Sequence, residues 1–147
     1  MGKVWAAPVT VIGLAAGGGA LLVSAFTGKA CAVEIKNNAV TFTTSLYWGG
    51  SVTLGNVIIH AGGNAARWNA DTVKPRYDGT GAILLGKHEE AHTRQYQRLG
   101  VLFFAVWGVS ALVRGGIGKS VLEIAADDYS MLNTSTLTTK QFLSLFK

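Results

Sequence analysis

Residues 4 to 26, VWAAPVTVIGLAAGGGALLVSAF, contain no charged side chain and follow Lys3; as a helix this run is long enough to cross a bilayer. Three readings compete for it. The preferred one is a membrane-inserted or membrane-lying helix. A signal peptide fits the basic start and apolar middle, although Lys29 stands where a lipoprotein cleavage box wants a small residue. A core helix is the third, because small residues at the spacing of Gly13, Gly17, Gly18 and Gly19 allow close backbone contact with another helix. Next come CAVEIK and AVTFTT, two β-branched runs around Asn37 and Asn38, which predict a hairpin. SVTLGNVIIH, residues 51 to 60, reads as a third strand. The stretch from Ala61 to Gly81 is rich in Gly, Asn, Asp and Pro and reads as a long connection. From about Ala82 to Leu99 the period becomes helical. Leu84, Leu85, His88, Ala91, His92, Gln95, Tyr96 and Leu99 share the inner face, and Lys87, Glu90, Arg94, Gln97 and Arg98 share the solvent face. VLFFAVWGVSALV, residues 101 to 113, is apolar all round but short for a span, so it predicts a buried core helix or a re-entrant segment. Residues 119 to about 132 are helical again, and the tail from residue 133 is polar and then amphipathic. This order predicts an α+β domain with a small sheet.

Composition narrows the class. At 147 residues the chain is the size of one domain. A hydrophobic fraction of 49%, with 14% charged residues and a mean hydropathy of +0.32, excludes disorder. The net charge of +5 favours an anionic neighbour, and the apolar content favours a lipid surface over nucleic acid, for which no basic run interleaved with aromatics is present. Arg94, Arg98, Arg114 and Lys119 flank the apolar segment, either as solvated helix ends or as partners of lipid headgroups. Cys31 is the only cysteine. An intrachain disulfide and a cysteine-rich zinc ribbon are both ruled out, and any metal site has to be built from His, Asp and Glu.

Such a set stands in the inner stripe. His88 and His92, four residues apart on a helix, sit about 40° apart around the axis and about 6 Å along it, so both imidazoles can reach one tetrahedral zinc. Glu89 projects beside them, where its carboxylate can accept a proton from a water in the open fourth position. Two inward imidazoles need partners. Downstream, Glu123 and Asp127 are again four apart on one helical face. Glu123 can be the third ligand, with Asp127 accepting the free N–H of a ligating histidine. His60, at the end of the third strand, is an alternative third ligand or a donor to a developing oxyanion, as Tyr129 and Tyr96 also could be.

The pattern His88-Glu89-x-x-His92 followed by Glu123-x-x-x-Asp127 resembles the gluzincin branch of HExxH zinc metallopeptidases. No histidine follows at the spacing of the three-histidine branch. HEEAHTRQYQRLGVLFF, with TLGNVII before it and the apolar start, also resembles a small family of bacterial HExxH proteins. The resemblance implies a single zincin-like domain over residues 1 to 147, with residues 1 to 28 as an apolar, membrane-associated segment. It implies His88, His92 and Glu123 as zinc ligands, Glu89 as general base and Asp127 as their support. SVTLGNVIIH would be the edge strand that presents a peptide or protein substrate. Such a protein would be a membrane-associated housekeeping protease or a toxin secreted to a rival's envelope or periplasm, the latter with an immunity or inhibitor protein. The alternative is a membrane-active or scaffolding protein with a structural metal or none.

Overall fold

In the computed structural model, which describes residues 2–46, 49–62 and 69–131, Asn37 and Asn38 take left-handed backbone at φ 53° and 60°. That pair of angles suits a two-residue hairpin turn. It folds strand β1 (Cys31–Lys36) back on β2 (Ala39–Thr44). The predicted third strand is corrected, because it is itself a hairpin. β3 (Gly50–Leu54) and β4 (Val57–Ala61) are antiparallel around Gly55, whose φ of 63° is cheap only for glycine. β4 then pairs with β2 in parallel, giving the order β1-β2-β4-β3. β4 is therefore interior and wholly buried, and only the β3 half of the predicted substrate strand lies on an edge.

The register divides the sheet into two faces. Phe42, Val57 and Ile59 form an apolar cluster on one, under helix α2 (Ala7–Thr27). A short helix α1 (Gly2–Trp5) precedes it. Val9, Gly13, Gly17, Ala20 and Ser24, at steps of three and four, are the buried stripe of α2. Gly13 and Gly17 meet the sheet, where the core-helix reading had another helix. A Cβ on Gly17 would run into the Phe42 ring, and one on Gly13 would lie 2.7 Å from Val57 Cβ; overpacking of this kind costs about 1–3 kcal/mol. The opposite side of α2 is apolar and bare, with Val11, Ile12, Leu22 and Phe26 exposed. By length and composition α2 could cross a membrane.

The other face of the sheet carries helix α3 (Leu85–Leu99). The predicted helix started earlier, at Ala82. Instead Ala82–Leu84 form β6, paired with β5 (Val73–Pro75) inside the predicted connection, and Ile83 also bridges Met131. Short apolar runs fit either structure, and here the tertiary pairing decides. Residues 63 to 68 of that connection, the end of the last predicted helix and the predicted amphipathic tail lie outside the described residues.

A bend of 116° at Gly100 leads into α4 (Leu102–Arg114). Of the two expectations for this segment, a buried core helix or a re-entrant one, the first is corrected: only Phe103 and Ala111 are buried, and Leu102, Phe104, Val109, Leu112 and Val113 are exposed. A 3₁₀ turn (Ile117–Lys119) precedes α5 (Val121–Ser130), whose N-terminus is capped by Ser120 Oγ accepting from Leu122 N–H. Ala6, Val9, Tyr96, Phe103 and Leu122 make the core where the helices meet. The Tyr96 and Phe103 rings stack there at 3.9 Å between centroids.

Candidate metal centre

The inward stripe of α3 points His88 and His92 at α5. His88 Nε2 lies 3.2 Å from Glu123 Oε2, His92 Nε2 lies 3.5 Å from Glu123 Oε1, and the two Nε2 atoms are 3.2 Å apart. One ligand atom from each of the three residues falls within 4.8 Å of the others, so the group could hold a metal ion.

The outer ring nitrogens decide whether it fits one. His88 Nδ1 is 2.8 Å from Asp127 Oδ1, an ion-pair contact off the ideal hydrogen-bond line. A carboxylate can only accept, so this nitrogen carries the proton. His92 Nδ1 lies 2.8 Å from Gln95 Oε1, while Gln95 Nε2 donates to the Leu122 carbonyl at 2.9 Å. Because that carbonyl can only accept, the amide is fixed with its oxygen toward His92, and Nδ1 of His92 donates as well. Both Nε2 lone pairs then converge on the Glu123 carboxylate, whose Oε1 is held by the Trp107 Nε1–H at 2.9 Å. Three converging acceptors repel one another unless they share a cation. A proton can serve, and so can a metal ion with a preference for imidazole and carboxylate.

The electrostatics describe the proton-filled state. Burial alone would lower the His88 pKa, but the Asp127 and Glu123 carboxylates outweigh it and raise it from 6.5 to about 9. Burial pushes Glu123 up, yet hydrogen bonds from both histidines and Trp107 hold it far below the usual carboxylate range. The sign follows by linkage. In the metal-free protein the raised His88 pKa contributes stability, on the order of 3 kcal/mol, that is fully present below pH 6.5 and lost as pH rises through about 9. A metal competes with that same proton. Apparent zinc affinity is therefore expected to rise about tenfold per pH unit between about pH 6 and about pH 8, with release of about one proton on binding. Titrations at several pH values with a buffered zinc indicator check this, and a flat profile would contradict it.

Glu89 is buried at the same place. Thr53 on β3 donates its hydroxyl to Glu89 Oε2 at 2.6 Å, which leaves Oε1 as the second acceptor. Together Glu89, the two histidines and Glu123 line a cleft of about 360 Å³. Its walls are the edge strand, Ser51 to Leu54, and an aromatic side made by Phe103, Phe104 and Trp107.

Other expected residues go elsewhere. His60 lies outside the metal-capable group. It is fully buried on the α3 face of the sheet, with Nδ1 2.6 Å from Ser51 Oγ. Burial lowers its pKa against the opposing charge of Glu89. Tyr129 is corrected as an oxyanion donor, because its hydroxyl donates to Glu90 Oε1 at 3.0 Å, on the side of α3 turned away from the histidines. Tyr96 lines the cleft, its ring stacked in the core. Glu90, expected in solvent, is only 5% exposed. Lys87 at 2.8 Å, Arg94 at 2.7 Å and Tyr129 satisfy its carboxylate, and against the upward push of burial they lower its pKa. Sequence reasoning assigned no role to Gln95, Trp107 or Thr53. Only Gln95 carried a signal, one turn beyond His92 on the inner stripe.

Compared with protein-family models, with curated proteins and with solved structures, the chain finds no match, so the chemistry of the centre rests on the geometry above.

Proposed function

We propose that this protein is a zinc-dependent metallopeptidase with a zincin-like site. The observation that carries the reading is the convergence of His88, His92 and Glu123 within 4.8 Å at a cleft that also holds Glu89 and an edge strand. Bound zinc would supply Lewis acidity, polarising a carbonyl and lowering the pKa of a water toward about 7. The chain's own residues do the rest. Asp127 and Gln95 keep the histidines in the tautomer that offers Nε2, and Trp107 steers Glu123. Thr53 fixes Glu89 through one oxygen, so the other can take the proton of an attacking water and pass it to the leaving amine. Among the described residues the outer edge of β3 has no strand beside it. An extended peptide could pair there, its side chains against Phe103, Phe104 and Trp107.

A second reading draws on the exposed apolar sides of α2 and α4, where Phe26 is 89% and Leu112 84% exposed. Surfaces of this kind mark membrane contact. They fit a peptidase that works at a bacterial envelope, and equally a membrane-active protein without hydrolytic chemistry. One experiment separates the two. Chelated protein is assayed with and without restored zinc, for cleavage of an unstructured peptide mixture and for leakage of anionic vesicles. The peptidase reading expects cleavage to vanish on chelation and return with zinc. Leakage independent of zinc, with no cleavage in either state, would favour the second reading.

A further inference from the structure

Among the described residues Lys74 is the one basic side chain of fixed charge in the cleft, and neither the ligand set nor the acid-base chemistry uses it. It stands on β5, half-buried, its backbone paired with Ile83. Among the described residues its ammonium has no hydrogen-bond or ion-pair partner. A second cavity, of about 620 Å³, adjoins the first and is lined by Lys74, Tyr77, Gly118 and Asp127. The two cavities share Lys74, His88, Ile117 and Glu123. Lys74 thus stands where a chain passing the metal centre would leave one cavity for the other. Three carboxylates line the two cavities, Glu89 the first, Asp127 the second and Glu123 both. An arriving anion would be repelled by all three carboxylates, and beside a bound metal ion Lys74 is the cation among the described residues of the cleft that would attract it.

We infer that Lys74 forms an anion subsite which takes a carboxylate of the peptide substrate close to the cleaved bond. This rests on the peptidase reading and adds a substrate class to it. The carboxylate has two sources, the free C-terminus of a short peptide or an internal Asp or Glu side chain. An ammonium that stays half-dry gains a charge-assisted hydrogen bond on meeting such a group, and this corresponds to about tenfold or more in affinity.

The test uses zinc-loaded full-length protein and peptides matched in pairs: free against amidated C-terminus, and Glu against Gln near the cleaved bond. Wild type should prefer the carboxylate member of one pair by about tenfold in kcat/KM, carried in KM, and that pair identifies the source. Lys74→Met should cleave both members alike, and Lys74→Arg should restore the preference. Wild type without preference in either pair would overturn the inference. So would Lys74→Met lowering kcat equally on every peptide, the mark of oxyanion stabilisation instead. The same pairs are offered to zinc-loaded Glu89→Ala, with binding read by calorimetry. If nothing is cleaved by wild type, a Lys74-dependent preference in that binding keeps the subsite while the peptidase reading fails; equal binding of both members removes the subsite.

Discussion

Replacing Glu89 with glutamine is expected to lower peptide hydrolysis by about a thousandfold while the protein still binds zinc and keeps its fold. The magnitude follows from the role: a positioned general base contributes about 10²–10⁴ in rate, and the amide has no basic oxygen to take the proton. The retention follows from the geometry. Glutamine has nearly the same shape, its oxygen can still accept from the Thr53 hydroxyl that holds Glu89 Oε2 at 2.6 Å, and Glu89 is not among the three converging ligand residues. The two readouts must part company. A variant that hydrolyses at the wild-type rate would remove Glu89 from the chemistry, and one that loses zinc together with activity would make it part of the centre's structure.

The second large effect is on the metal itself. Glu123→Ala should weaken zinc by about a hundredfold or more, since removing even an outer partner of a ligand costs 10–100-fold. Glu123 is the carboxylate on which both Nε2 atoms converge, and no other carboxylate joins the group among the described residues. The variant also strands the Trp107 N–H, which donates to Glu123, so its fold is to be checked by circular dichroism beside the zinc titration. Unchanged affinity in a folded variant would remove Glu123 from the ligand set.

Local chemistry made part of this molecule legible. The Asn37-Asn38 hairpin could be read because its turn is decided by two residues. The stripe of α3 could be read because His88, His92 and Tyr96 repeat at helical spacing on a long element, and all three are buried. Elsewhere distant partners decided the outcome. Leu54-Gly55-Asn56-Val57 carries a two-residue turn signal, but it is flanked by apolar residues on both sides and so looks like the middle of one strand. Ala82–Leu84 turned out as a strand because of Val73–Pro75, which no periodicity announces. Glu90 could be buried only because Tyr129, thirty-nine residues on, adds a third donor to those from Lys87 and Arg94. For α4 the sequence correctly reports an apolar helix, but apolar composition does not say what covers it, and most of its surface is bare. In the centre the three residues that could hold a metal were legible, and the groups that set the histidine tautomers were legible only in part. Asp127 could be read from its spacing to Glu123, whereas the Gln95–Leu122 bond depends on how α3 meets α5.

The central claim is that His88, His92 and Glu123 hold one zinc. X-ray absorption at the zinc edge, on protein loaded with one equivalent and dialysed, addresses it most directly. Two imidazole nitrogens are expected at about 2.0–2.1 Å and oxygen neighbours at about 2.0–2.2 Å, with one imidazole lost in either His88→Ala or His92→Ala. Zinc that dialyses away, or a sulfur neighbour at about 2.3 Å from Cys31, would contradict it.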